Sequence, residues 1–458
     1  MFKSETVMNK IIYHSTNQRS APVTFGDALL KGLADDGGLF MPSYFPVISA
    51  EEINKMSEQS YSEMAFSVLN RIIGNEIEAD RLNALCKEAY NFDVPLENVT
   101  ENRFILRLDQ GPTASFKDFA ARMMSRLMQY RLAKENSSVT IPTATSGDTG
   151  SAVANAYYGL ENIKIVILFP VDEVSETQRR QMTTLGKNVN VIGLNGKFDD
   201  CQRLVKSAFT DEFFANARLS SANSINIGRL LPQSVYYFYA WSRLRNGFNN
   251  IVFSVPSGNF GNLMGGIIAK KMGLPVKKFV VATNANDEVP EYLRTGDYEI
   301  ISPSINCISS AMNVGHPSNF ARIISLYGGV MNEKGEIITA PDLQAIRDDL
   351  YGVSVTDEDT QNTILEAYKN FGIVIEPHGA VAWKGLTKYL DAYDRNPEQL
   401  SVSLETAHPG KFPDEIKKIT GIEPELPLCL RDLDKKAESY TLLDNDYEKF
   451  KKLLLDII

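Results

Sequence analysis

The sequence predicts an α/β protein made of two doubly wound α/β domains. Three observations predict it. Apolar, strand-like runs alternate with helical spacing, and the joints between them are rich in Gly, Ser and Asn. A length of 458 residues suits two or three domains. No internal repeat is visible. Residues 1–100 combine helices with the polar, glycine-rich segment KGLADDGGLFMP (31–42). SSVTIPTATSGDTGSAVANAYYGL (137–160) reads as a strand around Val139–Thr143, a loop, and a helix carrying Ala152, Ala156 and Tyr157. NIKIVILFP (162–170) is a nearly continuous apolar strand, as expected when both sheet faces are covered, and VNVIGL (189–194) is a shorter one. NIVFSVPSGNFGNLMGGIIAKKMGL (250–274) repeats the unit, with a strand at 250–255, a glycine-rich loop and a helix. KKFVVATNAND (277–287) supplies another strand. Residues 300–400 read as mainly helical, with DDLYGVSVTDEDTQ (348–361) as helix–loop–helix. DYEKFKKLLLDII (446–458) has the period of a C-terminal docking helix.

Composition narrows the function classes. The chain is 43% hydrophobic and 23% charged, ordinary for a globular protein, and its net charge of −10 gives no electrostatic footprint for nucleic acid. Cys86, Cys201, Cys307 and Cys429 form no CxxC pair, so they are expected to be buried thiols in a reducing compartment. His14, His316, His378 and His408 show no metal-ligand spacing, and no metal is expected. The N-terminus, MFKSETVMNKIIYHS, lacks the pattern of a targeting segment, and no stretch is long and apolar enough for a bilayer. A soluble, cytoplasmic protein without membrane or nucleic-acid partners is the expectation.

Five segments can carry chemistry. In GPTASFKDFAARMM (111–124), Lys117 stands between Phe116 and Phe119 where the chain turns into a helix. It is either an ordinary lysine at a helix start or a desolvated amine with a lowered pKa. VPSGNFGN (255–262) joins a strand to a helix; its small residues and the helix dipole suit a phosphate, and a plain chain-reversing turn is the alternative. It matches neither G-x-G-x-x-G nor a P-loop. TATSGDTGSA (143–152) could hold an anion through Ser146, Gly147, Thr149 and backbone amides, or could simply be a helix cap with Asp148 or Thr149 at the N-cap. SINIGRLLPQS (224–234) spaces Asn226, Arg229 and Gln233 along one helical face, where Arg229 could clamp an anion or lie on the surface. In LETAHPGKFPD (404–414), Thr406 ends an apolar strand, where open α/β sheets bind ligands.

A desolvated lysine, a phosphate cradle without a nucleotide fingerprint and a hydroxyl at a strand end together permit pyridoxal 5'-phosphate. The same segments resemble those of the threonine synthase family, within the fold-type II pyridoxal-phosphate enzymes related to tryptophan synthase β and the serine/threonine dehydratases. GPTASFKDFAARMM resembles the family's lysine motif, SGDTGSA its substrate loop and SGNFGN its phosphate loop. YHSTNQRSAPVTFGDALLKGLADDGGLFMP (13–42) resembles the start of threonine synthases and not that of dehydratases.

The resemblance implies a tryptophan synthase β-like fold with the cofactor in the cleft between two domains. It implies an N-terminal region over 1–100, a larger domain over 101–136 and 200–458, and a smaller mobile domain over 137–199. It further implies that Lys117 forms a Schiff base with the cofactor. Gly258, Asn259, Phe260, Gly261 and Asn262 would hold the cofactor phosphate, and Thr406 would meet the pyridine nitrogen. Thr113, Ser146, Thr149, Asn226 and Arg229 would bind substrate. Asp148 stands where many relatives place Asn beside the cofactor's 3'-oxygen, which implies either a protonated oxygen there or an Asp148 turned toward the backbone. The implied reaction converts O-phospho-L-homoserine and water to L-threonine and phosphate, in a monomer or homodimer. A dehydratase-type lyase and a non-catalytic binder of phosphorylated ligands are the alternatives.

Overall fold

The apolar runs fold as strands of two parallel layers. In the computed structural model, which describes residues 11–214, 217–393 and 398–458, the first strands are β1 (Tyr13–Ser15), β2 (Phe40–Pro42), β3 (Leu96–Thr100), β4 (Arg103–Arg107), β5 (Val139–Ala144), β6 (Ile163–Pro170) and β7 (Val189–Asn195). They are followed by β8 (Ile251–Pro256), β9 (Val276–Thr283), β10 (Val330–Met331), β11 (Ile337–Thr339), β12 (Leu350–Ser354), β13 (Ser401–Glu405) and β14 (Thr441–Asp444). One sheet runs β12–β9–β8–β13–β4–β3 and the other β14–β7–β6–β5. Every neighbouring pair in both is parallel except the β3–β4 edge. β5, β8 and β13 are buried at every residue, since helices cover both faces of each sheet. The first ten residues, on which the reading of the N-terminus rests, lie outside the described residues. Among the described residues no helix is long and apolar enough to cross a membrane.

Three expectations change. Residues 348–361 do not form helix–loop–helix: LYGVS is the edge strand β12, paired with β9 between the helices Leu343–Asp349 and Asp357–Phe371. Tyr351 and Val353 suit a pleated surface, and Gly352 lets the strand approach Pro290, whose Cα would lie 2.7 Å from an added Cβ. The chain is also not divided simply at residue 200. β14 extends the small sheet beside β7, and helix Tyr447–Ile457 lays Phe450 and Leu454 into the same core as Leu168, Ile192 and Leu204. Without helix Phe198–Thr210 and this C-terminal segment, one face of the small sheet would be bare. Finally, Cys86 and Cys201 are buried but Cys307 and Cys429 are partly exposed.

One buried arginine ties distant segments to the cleft. Arg322 is fully buried and donates to the carbonyls of Phe40, Ser224 and Ile225 and to Asn319 Oδ1. Asn319 in turn donates to the Asn259 carbonyl at 2.9 Å, so the N-terminal region and two loops of the cleft share one anchor.

Glu288, at the head of helix Glu288–Thr295, is buried with Oε2 unpaired, and burial lifts its pKa to about 7. Between the unfolded value and about 7 the folded state holds the extra proton, so this residue makes the protein less stable as pH rises. Glu288→Gln is expected to match the unaltered protein at pH 4 and to exceed it by about 1–3 kcal/mol at pH 8, measured by urea unfolding.

Candidate active site

The lysine motif is built by side-chain bonds that bend the chain into a helix start. Asp118 is fully buried and accepts from the Thr113 amide at 2.8 Å and from Thr113 Oγ1 at 2.7 Å. Ala114 is held at φ 54°, a left-handed conformation that costs a non-glycine residue energy and marks a built loop. The segment then runs beside the end of β13. The Phe116 amide donates to the Thr406 carbonyl at 2.9 Å, and the His408 amide to the Ala114 carbonyl at 3.0 Å. Helix Lys117–Glu135 begins at once, which places Lys117 next to Thr406.

Lys117 is a cleft amine, not a surface one. Its side chain is 15% exposed, with Nζ 3.9 Å from Asp148 Oδ2 and 4.9 Å from the Phe116 ring centre. Burial pushes its pKa below the ordinary lysine value, the charges of Lys411 and Arg229 push it further, and Asp148 and Glu376 partly restore it. The lowering favours the neutral amine, the form that acts as a nucleophile and a base.

The SGNFGN loop is shaped for an anion. Helix Gly261–Lys271 starts within it, at its second glycine, with the N-cap Phe260 at φ 60°. The amides of residues 258–263 have no acceptor among the described residues, which leaves a run of N–H groups at a helix N-terminus able to hold an anion. Gly258 is required by close packing: a Cβ there would lie 2.9 Å from the Ala311 carbonyl oxygen. Asn262 Oδ1 accepts from the hydroxyls of Tyr236 at 2.6 Å and Tyr237 at 2.7 Å, which fixes the amide so that its buried Nδ2 has no protein partner. Asn259 is held by its own oxygens, which accept from the Ser318 amide and from Asn319.

The SGDTGSA loop follows another plan than a simple cap. Neither Asp148 nor Thr149 is the N-cap of helix Asp148–Tyr157; Gly147 is, at φ 126°. Thr145 Oγ1 accepts from the amides of Gly147 and Gly150 at 2.9 and 2.8 Å and so fills the role expected of Asp148 or Thr149. This leaves the amides of Ser146, Asp148 and Thr149 without acceptors among the described residues, and both hydroxyls half-buried at the helix head. Asp148 turns neither to the backbone nor to solvent. Its Oδ1 is 2.5 Å from Lys411 Nζ and accepts from Gln178 Nε2 at 3.0 Å. Opposing its burial, Lys411, Lys117 and Gln178 hold its carboxyl well below the usual range, so it is ionised.

Arg229 is 4% exposed and makes no ion pair among the described residues, although the Asp118 charge acts on it from further off; Nη1 donates to the Ala222 carbonyl at 2.7 Å, and Nε has no partner among the described residues. Burial lowers its pKa to about 10, so it remains a cation at neutral pH. Asn226 behaves differently from expectation. It is the N-cap of the short helix Ile227–Leu230, accepts from the Gly228 amide, and donates to the carbonyls of Leu29 and Ser221. Its side chain is spent on the turn that aims Arg229. Thr113 is likewise occupied, by Asp118 through its hydroxyl and by Lys411 and Gln181 through its carbonyl.

Residues 94–403 match the family model described as pyridoxal-phosphate dependent enzyme, 12–90 that of the threonine synthase N terminus, and 380–454 that of the threonine synthase C-terminal part. The chain is 41% identical to the threonine synthase of Haemophilus influenzae over 438 residues, covering 94% of this chain and 97% of that one. It therefore belongs to the threonine synthase family. Solved structures agree. The pyridoxal-phosphate-bound threonine synthase of Brucella melitensis superposes with a TM-score of 0.90 at 37% identity, over 98% of this chain and 99% of that one. The yeast threonine synthase does so with 0.89 at 31% identity, over 97% and 98%. The fold is thus the expected fold-type II one, and pyridoxal phosphate is the cofactor.

The residues present fit that cofactor. A phosphate would meet the free amides of 258–263 and Asn262 Nδ2, an aldehyde would have the lowered-pKa amine of Lys117 to bond to, and Thr406 Oγ1 stands just past the end of β13 with no protein partner among the described residues. Asn262→Asp tests the cradle. Both tyrosine hydroxyls keep their acceptor, while a donor becomes a carboxylate facing phosphate. Cofactor affinity is expected to fall by about 100-fold with little change in the melting temperature of the cofactor-free protein. Sequence reasoning missed Thr145, Gln178 and above all Lys411. The signal was there for Lys411: it lies in the quoted LETAHPGKF, and the 3₁₀ turn Pro409–Lys411 folds it back toward Asp148.

Proposed function

We propose that this enzyme converts O-phospho-L-homoserine and water to L-threonine and phosphate. The observation that carries the reading is a second, separate anion-ready group in the cleft. Besides the amides of 258–263, Arg229 lies buried without an ion pair among the described residues, its Nε unpaired. A dehydratase acting on an unphosphorylated amino acid has no use for it.

Pyridoxal phosphate supplies the electron sink that stabilises negative charge at the substrate's Cα. Lys117, whose neutral amine its surroundings favour, is the group placed to hold the cofactor and to take the Cα proton and then a Cβ proton. The half-buried head of helix Asp148–Tyr157, with the hydroxyls of Ser146 and Thr149, suits the substrate carboxylate. Arg229 suits the γ-phosphate and the charge that grows as it departs, and water then adds at Cβ. Thr406 offers the pyridine nitrogen a neutral hydroxyl instead of a carboxylate. Asn226 and Thr113 are assigned to the scaffold that aims these groups. We place the enzyme in the cytoplasm, as a monomer or homodimer, with the small sheet as the moving unit.

The test supplies purified enzyme with O-phospho-L-homoserine and follows phosphate and threonine together. Equal amounts of both support the reading. Ketobutyrate from threonine, without phosphate from O-phospho-L-homoserine, contradicts it.

A further inference from the structure

Asp148 raises a problem that its surroundings answer. An ionised carboxylate 3.9 Å from the Lys117 amine should favour the protonated, unreactive lysine. Its other oxygen, however, is 2.5 Å from Lys411, whose side chain is 0% exposed. Lys411 cannot swing away to water, and its remaining visible bond, to the Thr113 carbonyl at 3.2 Å, ties it to the loop that Asp118 clamps. Gln178 closes the other side: its side chain fills the space over Gly147, 2.5 Å from where a Cβ would stand, and its Nε2 donates to Asp148 Oδ1 at 3.0 Å. The carboxylate is thus fixed between two lysines from different segments, one spent on pairing and one left to react.

We infer that Lys411 is a positioning residue: its ammonium, clamped to Asp148, cancels the carboxylate charge facing Lys117 and so sets the pH range over which the Lys117 amine can react. The inference rests on the assignment of Lys117 as the cofactor-holding amine. Arg229 and Glu376 also act on Lys117, while Asp118, His408 and the Cys429 thiol surround Lys411. All of these stay in place in the variants below, so changes in pH profile report the Asp148–Lys411 pair.

The experiment measures the rate at which cofactor-free protein takes up pyridoxal phosphate as a function of pH, with a pH titration of the visible band of the bound cofactor alongside. Lys411→Met leaves Asp148 unpaired against Lys117 and is expected to move the uptake midpoint up by about one pH unit or more. Asp148→Asn leaves the Lys411 charge unopposed and is expected to move it down by a similar amount, about one pH unit. The neutral pair Lys411→Met with Asp148→Asn is expected to restore the original midpoint, and Lys411→Arg to keep it. A purely structural role would not move two profiles in opposite directions. If Lys411→Met does not fold, Asp148→Asn decides alone, because an unmoved midpoint there overturns the inference. Equal profiles, or shifts of one sign in both single variants, also overturn it. Failure of the Lys117 assignment looks different: Lys117→Ala would then still take up cofactor covalently.

Discussion

Replacing Lys117 with alanine is expected to lower kcat by at least about 1,000-fold and to remove the visible band of bound pyridoxal phosphate. The expectation follows from how much is asked of one amine. Lys117 is the group at the head of helix Lys117–Glu135 that can both hold the cofactor and move substrate protons, and nearby Lys411 is locked to Asp148. Lys117→Arg should fare no better, because a guanidinium stays protonated and cannot act as a nucleophile. The folded state should survive either change, since the side chain makes no short hydrogen bond among the described residues and its ion pair is 3.9 Å long. Circular dichroism and stopped-flow phosphate release check the two halves of this statement.

Arg229→Met should raise KM for O-phospho-L-homoserine by about 100-fold, the cost of losing a charge-assisted contact to phosphate. The same change should leave the melting temperature of the ligand-free protein equal or higher. An arginine buried without an ion pair costs the fold stability, and among the described residues only the Ala222 carbonyl loses a donor when it goes. Opposite effects on stability and substrate binding are what separate a ligand-facing charge from a structural one. Arg229→Lys keeps the charge but not the fork, and should fall between the two. Should Arg229→Met instead destabilise the protein by several kcal/mol with KM unchanged, Arg229 would be part of the scaffold.

Much of this was legible in the sequence, because the strands around 139–144, 163–170 and 251–256 are apolar at nearly every position and end in small-residue loops. What local pattern could not reveal was pairing across the chain. β12 has five residues beside charged helical sequence, and only the free edge of β9 makes it a strand. β14 lies some 250 residues from its partner β7, so no window along the chain could join them. The site shows the same division. Residue type alone leaves Lys117, Arg229 and the SGNFGN loop each with an ordinary alternative, and only the motifs taken together single them out, whereas Asn226 and Thr113 look like ligands in sequence and are bound to the fold. For Asp148 the sequence offers a protonated 3'-oxygen beside it or a turn toward the backbone, and neither points to Lys411, 263 positions along the chain, which is its partner.

The central claim is that one lysine of the cleft, Lys117, holds the cofactor. Reducing the enzyme with borohydride fixes pyridoxal phosphate to the amine that holds it, and peptide mass mapping then locates the label. The account predicts a phosphopyridoxyl group on the peptide containing Lys117 and on no other. A label on Lys411, the other buried lysine beside Asp148, would contradict it.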